Sequence, residues 1–267
     1  MSGKRTERGL ALVVVLWGIA ALSLIAGAML YTATNAARLG HNAWSQLQVQ
    51  TAADSGVQAA ILSLFDQSAT RPRLDGSARD IAFADIAVRI AIQDETGRID
   101  LNAASRDQLR RYFAVTGAGD PDALADRVID WRSPKGTASL NGASADDYGK
   151  AGVQPRRAPL QSVDELDLVP GMTPELFARL APGLTVYSHS ADFNVSTAPQ
   201  AVLETIPGID AQRAAATIAH RPAAAAHPGH AFAVVATASR ARMQFTRRAV
   251  ILLTGDPARP YWILDWR

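Results

Sequence analysis

LALVVVLWGIAALSLIAGAMLY, Leu10 to Tyr31, runs 22 residues without a charge or a proline. At 1.5 Å of rise per residue a helix of this length reaches roughly 33 Å, the thickness of a bilayer's hydrocarbon core. Ahead of it stands MSGKRTERG, whose Lys4, Arg5 and Arg8 hold residues 1–9 on the cytoplasmic side and send the chain beyond Tyr31 across the inner membrane. A secretory signal peptide shares the order of basic then apolar, with Ala26-Gly27-Ala28 as its cleavage candidate, but its apolar region spans only about 7–15 residues. The expectation is a single-pass membrane anchor at 10–31 with the bulk of the chain periplasmic.

The helical pattern outlasts the anchor. No proline occurs between Leu10 and Arg71, and Val49, Ala53, Val57, Ala60 and Leu64 form one apolar stripe at helical spacing. One helix of about 55 residues is predicted, its second half packed on a domain, with Trp44 and Leu47 on a stretch free to meet other subunits. After a linker, SATRPRLDGSARD, the alternation of Ile86, Val88, Ile90 and Ile92 reads as a strand. Strand pattern returns in RARMQFTRRAVILLTG and PYWILDWR, joined as a hairpin by GDPARP.

Residues 95–221 read as a helical insert splitting that sheet, with 222–267 a flexible linker and the last strands. In SVDELDLVPGMTPELFARLAP, Ser162 is a candidate N-cap with Glu165 three residues on, and Thr173 caps a second helix carrying Pro174. FNVSTAPQAVLETIPGIDAQRAAATIAHR repeats the form, with Asp210 before the last helix, and RIDLNAASRDQLRRYF at 98–113 opens as FNVSTAPQAVL does. Both units read as helix-hairpin-helix.

Composition narrows the function. The net charge is +2, and once the leader is set aside the 24 basic residues that remain meet 24 acidic ones. There are no cysteines, which excludes disulfides, thiolate catalysis and Cys-type zinc sites. G-x-S-x-G, H-E-x-x-H and P-loop signatures are missing, so no catalytic residue is expected. Helix-hairpin-helix units bind DNA backbones elsewhere, making a competence-type DNA receptor the rival. Against it, residues 95–221 carry 13 basic and 16 acidic side chains, the wrong sign for phosphate, and Pro207-Gly208-Ile209-Asp210 puts a carboxylate where phosphate would sit. His220, His227 and His230 lie in an Ala- and Pro-rich stretch that suits a linker better than a fixed metal site. Asp130, Asp146 and Asp147 either supply oxygen to Ca²⁺ or solvate a loop.

The order of motifs resembles a known family. A basic leader ending in Gly9, then ETGRIDLNAAS, DWRSPKG, LNGASADDYGKAG, LQSVDELDLVPGMTPELFARLAPGLTVYS and DFNVSTAPQAVLETIPG are similar to the general secretion pathway protein K family, large minor pseudopilins of the type II secretion system. That resemblance implies an α+β, pilin-like fold: a long transmembrane and stem helix on an antiparallel sheet, interrupted by a large all-α domain of helix-hairpin-helix (SAM-like) units. It implies cleavage between Gly9 and Leu10 by prepilin peptidase, with N-methylation of Leu10. It makes Val14 mature position five, where most pilin-like subunits carry glutamate; an apolar residue there suits a tip subunit with no neighbour above it. Implied partners are the I-type and J-type minor pseudopilins, other pseudopilins, and secreted substrate or the secretin, but no nucleic acid. Family members also carry calcium, usually with more carboxylates than Ser133, Pro134 and Lys135 offer beside Asp130.

Overall fold

The computed structural model describes residues 4–66, 68, 71–134, 148, 149, 152 and 154–267, with side chains from residue 12 onward. It divides into two units, residues up to 51 and residues 52–267. Helix α1, Lys4–Ser63, is 60 residues long, an unbroken run that the absence of proline permits. In the first unit its apolar side chains from Leu12 to Tyr31 are exposed, so the helix presents a surface that water would not solvate.

In the second unit the last turns of α1 pack on a five-stranded antiparallel sheet. Its strands are β1 (Asp75–Phe83), β2 (Ile86–Asp94), β5 (Ala231–Arg240), β6 (Met243–Leu253) and β7 (Tyr261–Trp266), in the spatial order β1-β2-β5-β6-β7. The expected stripe of α1 is buried throughout, as are Ile86, Val88, Ile90 and Ile92. Helix and sheet approach closely at Gly56, where an added Cβ would lie 2.8 Å from Val88 Cγ1 and 3.1 Å from Ala236 Cβ. Arg247 Nε of β6 adds a 2.5 Å ion pair to Asp54.

Two strands depart from expectation. The linker foreseen over 68–80 already contains β1 from Asp75, and β5 lies in the stretch foreseen as linker. β1 is an edge strand with mostly exposed positions, so its polar residues give no apolar alternation. β5 is central, with Phe232, Val234, Ala236 and Ala238 buried on one face and the other face only partly covered, and because Ala233 and Val235 on that second face are apolar too its sequence shows no clean alternation. Their turns hide as well. Ala84-Asp85 and Ala241-Arg242 close two hairpins with Ala84 and Ala241 at φ 54° and 53°, where glycine or asparagine is the usual signal. Arg240 Nη2 and Asp85 Oδ2, 2.6 Å apart, tie the two turns together.

The insert leaves the sheet after Asp94 and returns before Phe232, and these two residues are paired across β2 and β5. Between them lie α2 (Arg106–Val115), α3 (Pro121–Arg132), a 3₁₀ helix at Val163–Leu168, α4 (Pro174–Leu180), α5 (Gln200–Leu203) and α6 (Ala211–His220). The insert has its own core, from Ile99 through Tyr112, Phe113, Trp131, Leu166 and Leu180 to Ala214. It is not purely helical: β3 (Ile99–Asp100) and β4 (Leu184–Thr185) form a two-stranded parallel bridge.

The hairpins turn at Gly171 and Gly208, with φ 89° and 83°, and Thr173 and Asp210 cap α4 and α6 as expected. Neither unit, however, is a pair of full α-helices, because the leading members are the six-residue 3₁₀ helix and the four-residue α5. Ser162 makes no side-chain cap bond. Glu165 is drawn elsewhere, accepting from Gln161 N at 2.8 Å, Arg156 Nη1 at 3.0 Å and Trp131 Nε1 at 3.3 Å. The two similar openings share one local turn: Asp100 Oδ1 accepts from Asn102 N at 2.8 Å, and Asn194 Oδ1 from Ser196 N at 2.9 Å.

Candidate functional site

The residues of ETGRIDLNAAS converge where the insert is rooted in the sheet. Asp94, the last residue of β2, turns one oxygen to Thr96 N and Oγ1 (2.9 and 2.7 Å) and the other to His230 Nδ1 at 3.1 Å. The outgoing and returning chains are therefore clasped by one carboxylate. Gln93 Nε2 donates to Asp94 O and Thr197 O at 2.8 and 2.9 Å. Glu95 is buried, and burial pushes its carboxyl up against the opposing pull of Arg98, 2.7 Å away. Asp100 Oδ2 accepts from Ser188 Oγ at 3.2 Å and His189 N at 2.8 Å. Asn102 exchanges two bonds with the backbone of Leu160, 2.9 and 2.7 Å.

A second anchor was invisible in the sequence. Asp75, at the start of β1, accepts from Arg73 Nη2 at 2.6 Å and from Arg221 Nη2 at 3.0 Å. Burial opposes its ionisation, but the hydrogen bonds from Arg73, Ser77 and Arg221 outweigh it and hold the carboxyl well below its ordinary 3.8. Arg221 also donates to Ala198 O at 2.8 Å, and Arg71 Nη2 to Ala223 O at 2.8 Å. The stretch foreseen as a flexible linker is thus held at Ala223 by Arg71, just ahead of β1. No periodicity could reveal a pair as distant in sequence as Asp75 and Arg221; only the fold brings them together.

This arrangement fixes the insert to the sheet. The ring of His230 hydrogen bonds only to Asp94 among the described residues, and no hydroxyl meets its other nitrogen. His220 Nδ1 is taken by Ala216 O at 2.8 Å, apart from His227 and His230, whose rings lie 5.6 Å apart. Among the described residues no three His, Asp or Glu side chains gather as a metal site. Asp130 is buried in α3, while Asp146 and Asp147 lie outside the described residues. The hairpins are occupied by the chain itself: Arg127 Nη1 donates to Pro170 O at 2.9 Å, Arg213 Nη1 to Gly208 O at 2.5 Å, and Asp210 accepts from Arg213 N at 2.8 Å. A phosphate would have to displace that carboxylate.

On α1, Gly9 and Leu10 lie within the helix, ahead of the residues whose side chains are described. Val14 is exposed among other apolar residues, and Leu39, Trp44 and Leu47 are exposed further along. Between sheet and insert, a cleft of about 540 Å³ is lined by Glu95, Arg98, Phe177, Tyr187, Arg248 and Asp265 among others.

Residues 89–189, from β2 through the insert to His189, match the family described as Type II secretion system (T2SS), protein K. The fold is shared with a chain in the crystal structure of the GspK-GspI-GspJ complex from the enterotoxigenic Escherichia coli type 2 secretion system. That likeness has a TM-score of 0.60 at 13% identity and covers 85% of this chain and 98% of the other. No curated protein is matched by sequence.

Proposed function

We propose that this chain, which carries a type II secretion system protein K domain over residues 89–189, is a minor pseudopilin of that system. It is a structural subunit of the pseudopilus tip, joining I-type and J-type minor pseudopilins to start assembly of the fibre that drives export across the outer membrane. The observation that carries this reading is the splice: a large helical body set between two paired strands, β2 and β5, of a sheet that itself packs on the end of a long apolar helix. The E. coli chain of like fold was solved in complex with its GspI and GspJ, which supports the choice of partners.

In this reading α1 spans the inner membrane once and residues 52–267 work in the periplasm. Prepilin peptidase cuts after Gly9, and Leu10 becomes the methylated N-terminus. Val14, at mature position five, then places an apolar group where a glutamate without a partner would cost a few kcal/mol in lipid. The insert is the surface offered to secreted substrate or secretin.

Intact mass of the chain from membranes, with and without co-expressed prepilin peptidase, tests the class. The expected result is peptidase-dependent loss of residues 1–9, abolished by Gly9→Val. A chain that stays unprocessed, or is cut after Ala28, overturns the reading.

A further inference from the structure

The insert is rooted along one side of the sheet, at β1, β2 and the start of β5, and its ties there are polar. Arg73 Nη2, ahead of β1, donates to Ile218 O at 2.8 Å, and Arg221 Nη2 to Asp75 at 3.0 Å. Gln93 Nε2 donates to Thr197 O at 2.9 Å, and Asp94 meets His230 at 3.1 Å. The core of the insert, from Ile99 to Ala214, takes in no residue of the sheet. A joint of hydrogen bonds and ion pairs, without a shared apolar core, leaves two bodies free to rotate on one another.

Beyond the root the two bodies stand apart. Ala233 pairs with Val250 and Val235 with Arg248, so these side chains share the sheet face opposite to the one from which Arg247 reaches Asp54 of α1. Ala233, Val235 and Val250 are only partly covered, as are Val163, Phe177 and Tyr187 of the insert, and the cleft of about 540 Å³ lies between the two walls. Walls already wetted expose little further apolar surface when they separate, so the hydrophobic effect does not hold the cleft shut. Among the described residues one ion pair crosses its mouth: Arg267, just past β7, to Asp164 of the insert's 3₁₀ helix, the side chains 51% and 56% exposed. β7 lies three strand spacings from β2, and at about 4.8 Å each the pair stands roughly 14 Å from the root. Arg267 has a second carboxylate on its own side of the cleft, Asp265 at 2.9 Å, and keeps that counter-charge when Asp164 lets go.

We propose that the insert is a hinged body, swinging on its root away from the sheet, and that Arg267–Asp164 is the latch of its shut position. The hinge lies where the chain crosses between the two bodies, at Asp94–Glu95 on the way out and at the segment before Ala231 on the way back, each the end of a strand. An exposed ion pair shifts such an equilibrium by about two- to fivefold, enough to bias the swing and too little to lock it. Salt weakens the latch, because the pair sits in solvent, and leaves the half-buried ties of the root in place. The device belongs to this chain alone and stands whether or not the tip reading does.

Because the chain has no cysteine, Glu175→Cys on the insert and Gln244→Cys on β6, both exposed, carry a unique pair of spin labels. The full-length chain in detergent, diluted with unlabelled chain, is read by pulsed electron paramagnetic resonance as a distribution of label distances. The expected result is a dominant short distance and a minor longer one. The ratio of longer to shorter rises about two- to fivefold in Asp164→Asn, and further in Asp164→Lys, which sets like charges against each other. Raising salt to about 1 M lifts the ratio in the unaltered chain and scarcely moves it in Asp164→Asn. If Asp164→Lys melts below the unaltered chain, the salt series on the unaltered chain decides. One unchanging short distance in every sample overturns the hinge. Two distances in a ratio that neither substitution nor salt alters overturn the latch, and with it the proposal.

Discussion

Asp75 shows how much one side chain governs in this molecule. Its side chain and that of Arg221 are 4% and 6% exposed, so removing the carboxylate leaves a guanidinium buried without its counter-charge. Asp75→Asn is expected to cost about 3 kcal/mol near neutral pH, the low end of the cost of breaking a buried ion pair, because Arg73 is partly exposed. The pH dependence has a definite sign. A carboxyl held below its ordinary 3.8 contributes its full stabilisation above that value and loses it as the pH falls further. Urea unfolding of the two proteins should therefore differ at pH 7 and converge as the pH drops below about 4. At this scale the sequence was legible in its caps, since Thr173 and Asp210 each act three residues before the amide they serve. It was illegible wherever a polar group has its partner across the fold, as with Glu165, which serves Trp131 and Arg156 rather than a helix end.

Elements were legible in proportion to their contrast with water. α1 announced itself by length and lack of proline, and β2 by a clean alternation, because each has one face to bury and one to expose. β5 gave no such contrast in its sequence, because its partly covered face carries Ala233 and Val235, as apolar as the buried one, and β1 gave none because it covers little. The packing of α1 on β2 and β5 depends on Gly56. Alanine there gains about 1 kcal/mol of helix propensity, but its methyl meets Val88 and Ala236 at 2.8 and 3.1 Å, a crowding that costs about 1–3 kcal/mol. A small net loss is expected for Gly56→Ala and about 3 kcal/mol for Gly56→Leu, read from denaturant midpoints of the detergent-solubilised chain. Equal stability of all three would mean that helix and sheet are further apart than these distances.

The molecule as a whole is a sheet domain with a second core spliced into it. Since Asp94 and Phe232 face each other on neighbouring strands, a two-residue Asn-Gly turn can replace the insert without moving either strand. A chain so shortened should keep a cooperative thermal transition and the far-ultraviolet signal of a sheet, while losing whatever sister or substrate contact the insert makes. Loss of the transition would show that the root residues hold up the sheet as well as the insert. The change from strand to helical pattern located the start of the splice in sequence; of the paired strands on either side of it, β2 was plain and β5 stayed hidden because both its faces carry apolar side chains.

That same splice sets a timetable. β5 must find β2 about 140 residues after it, and closing so long a loop in an unstructured chain is entropically costly. An insert that condenses first around its own core brings its two ends together and turns a distant search into a local one. Until then β2 waits with an open edge, and the newly made chain is at its most vulnerable to aggregation. The helical body thus acts as an internal guide for the sheet that carries it, and the shortened chain, which has no such interval, should refold faster than the intact one.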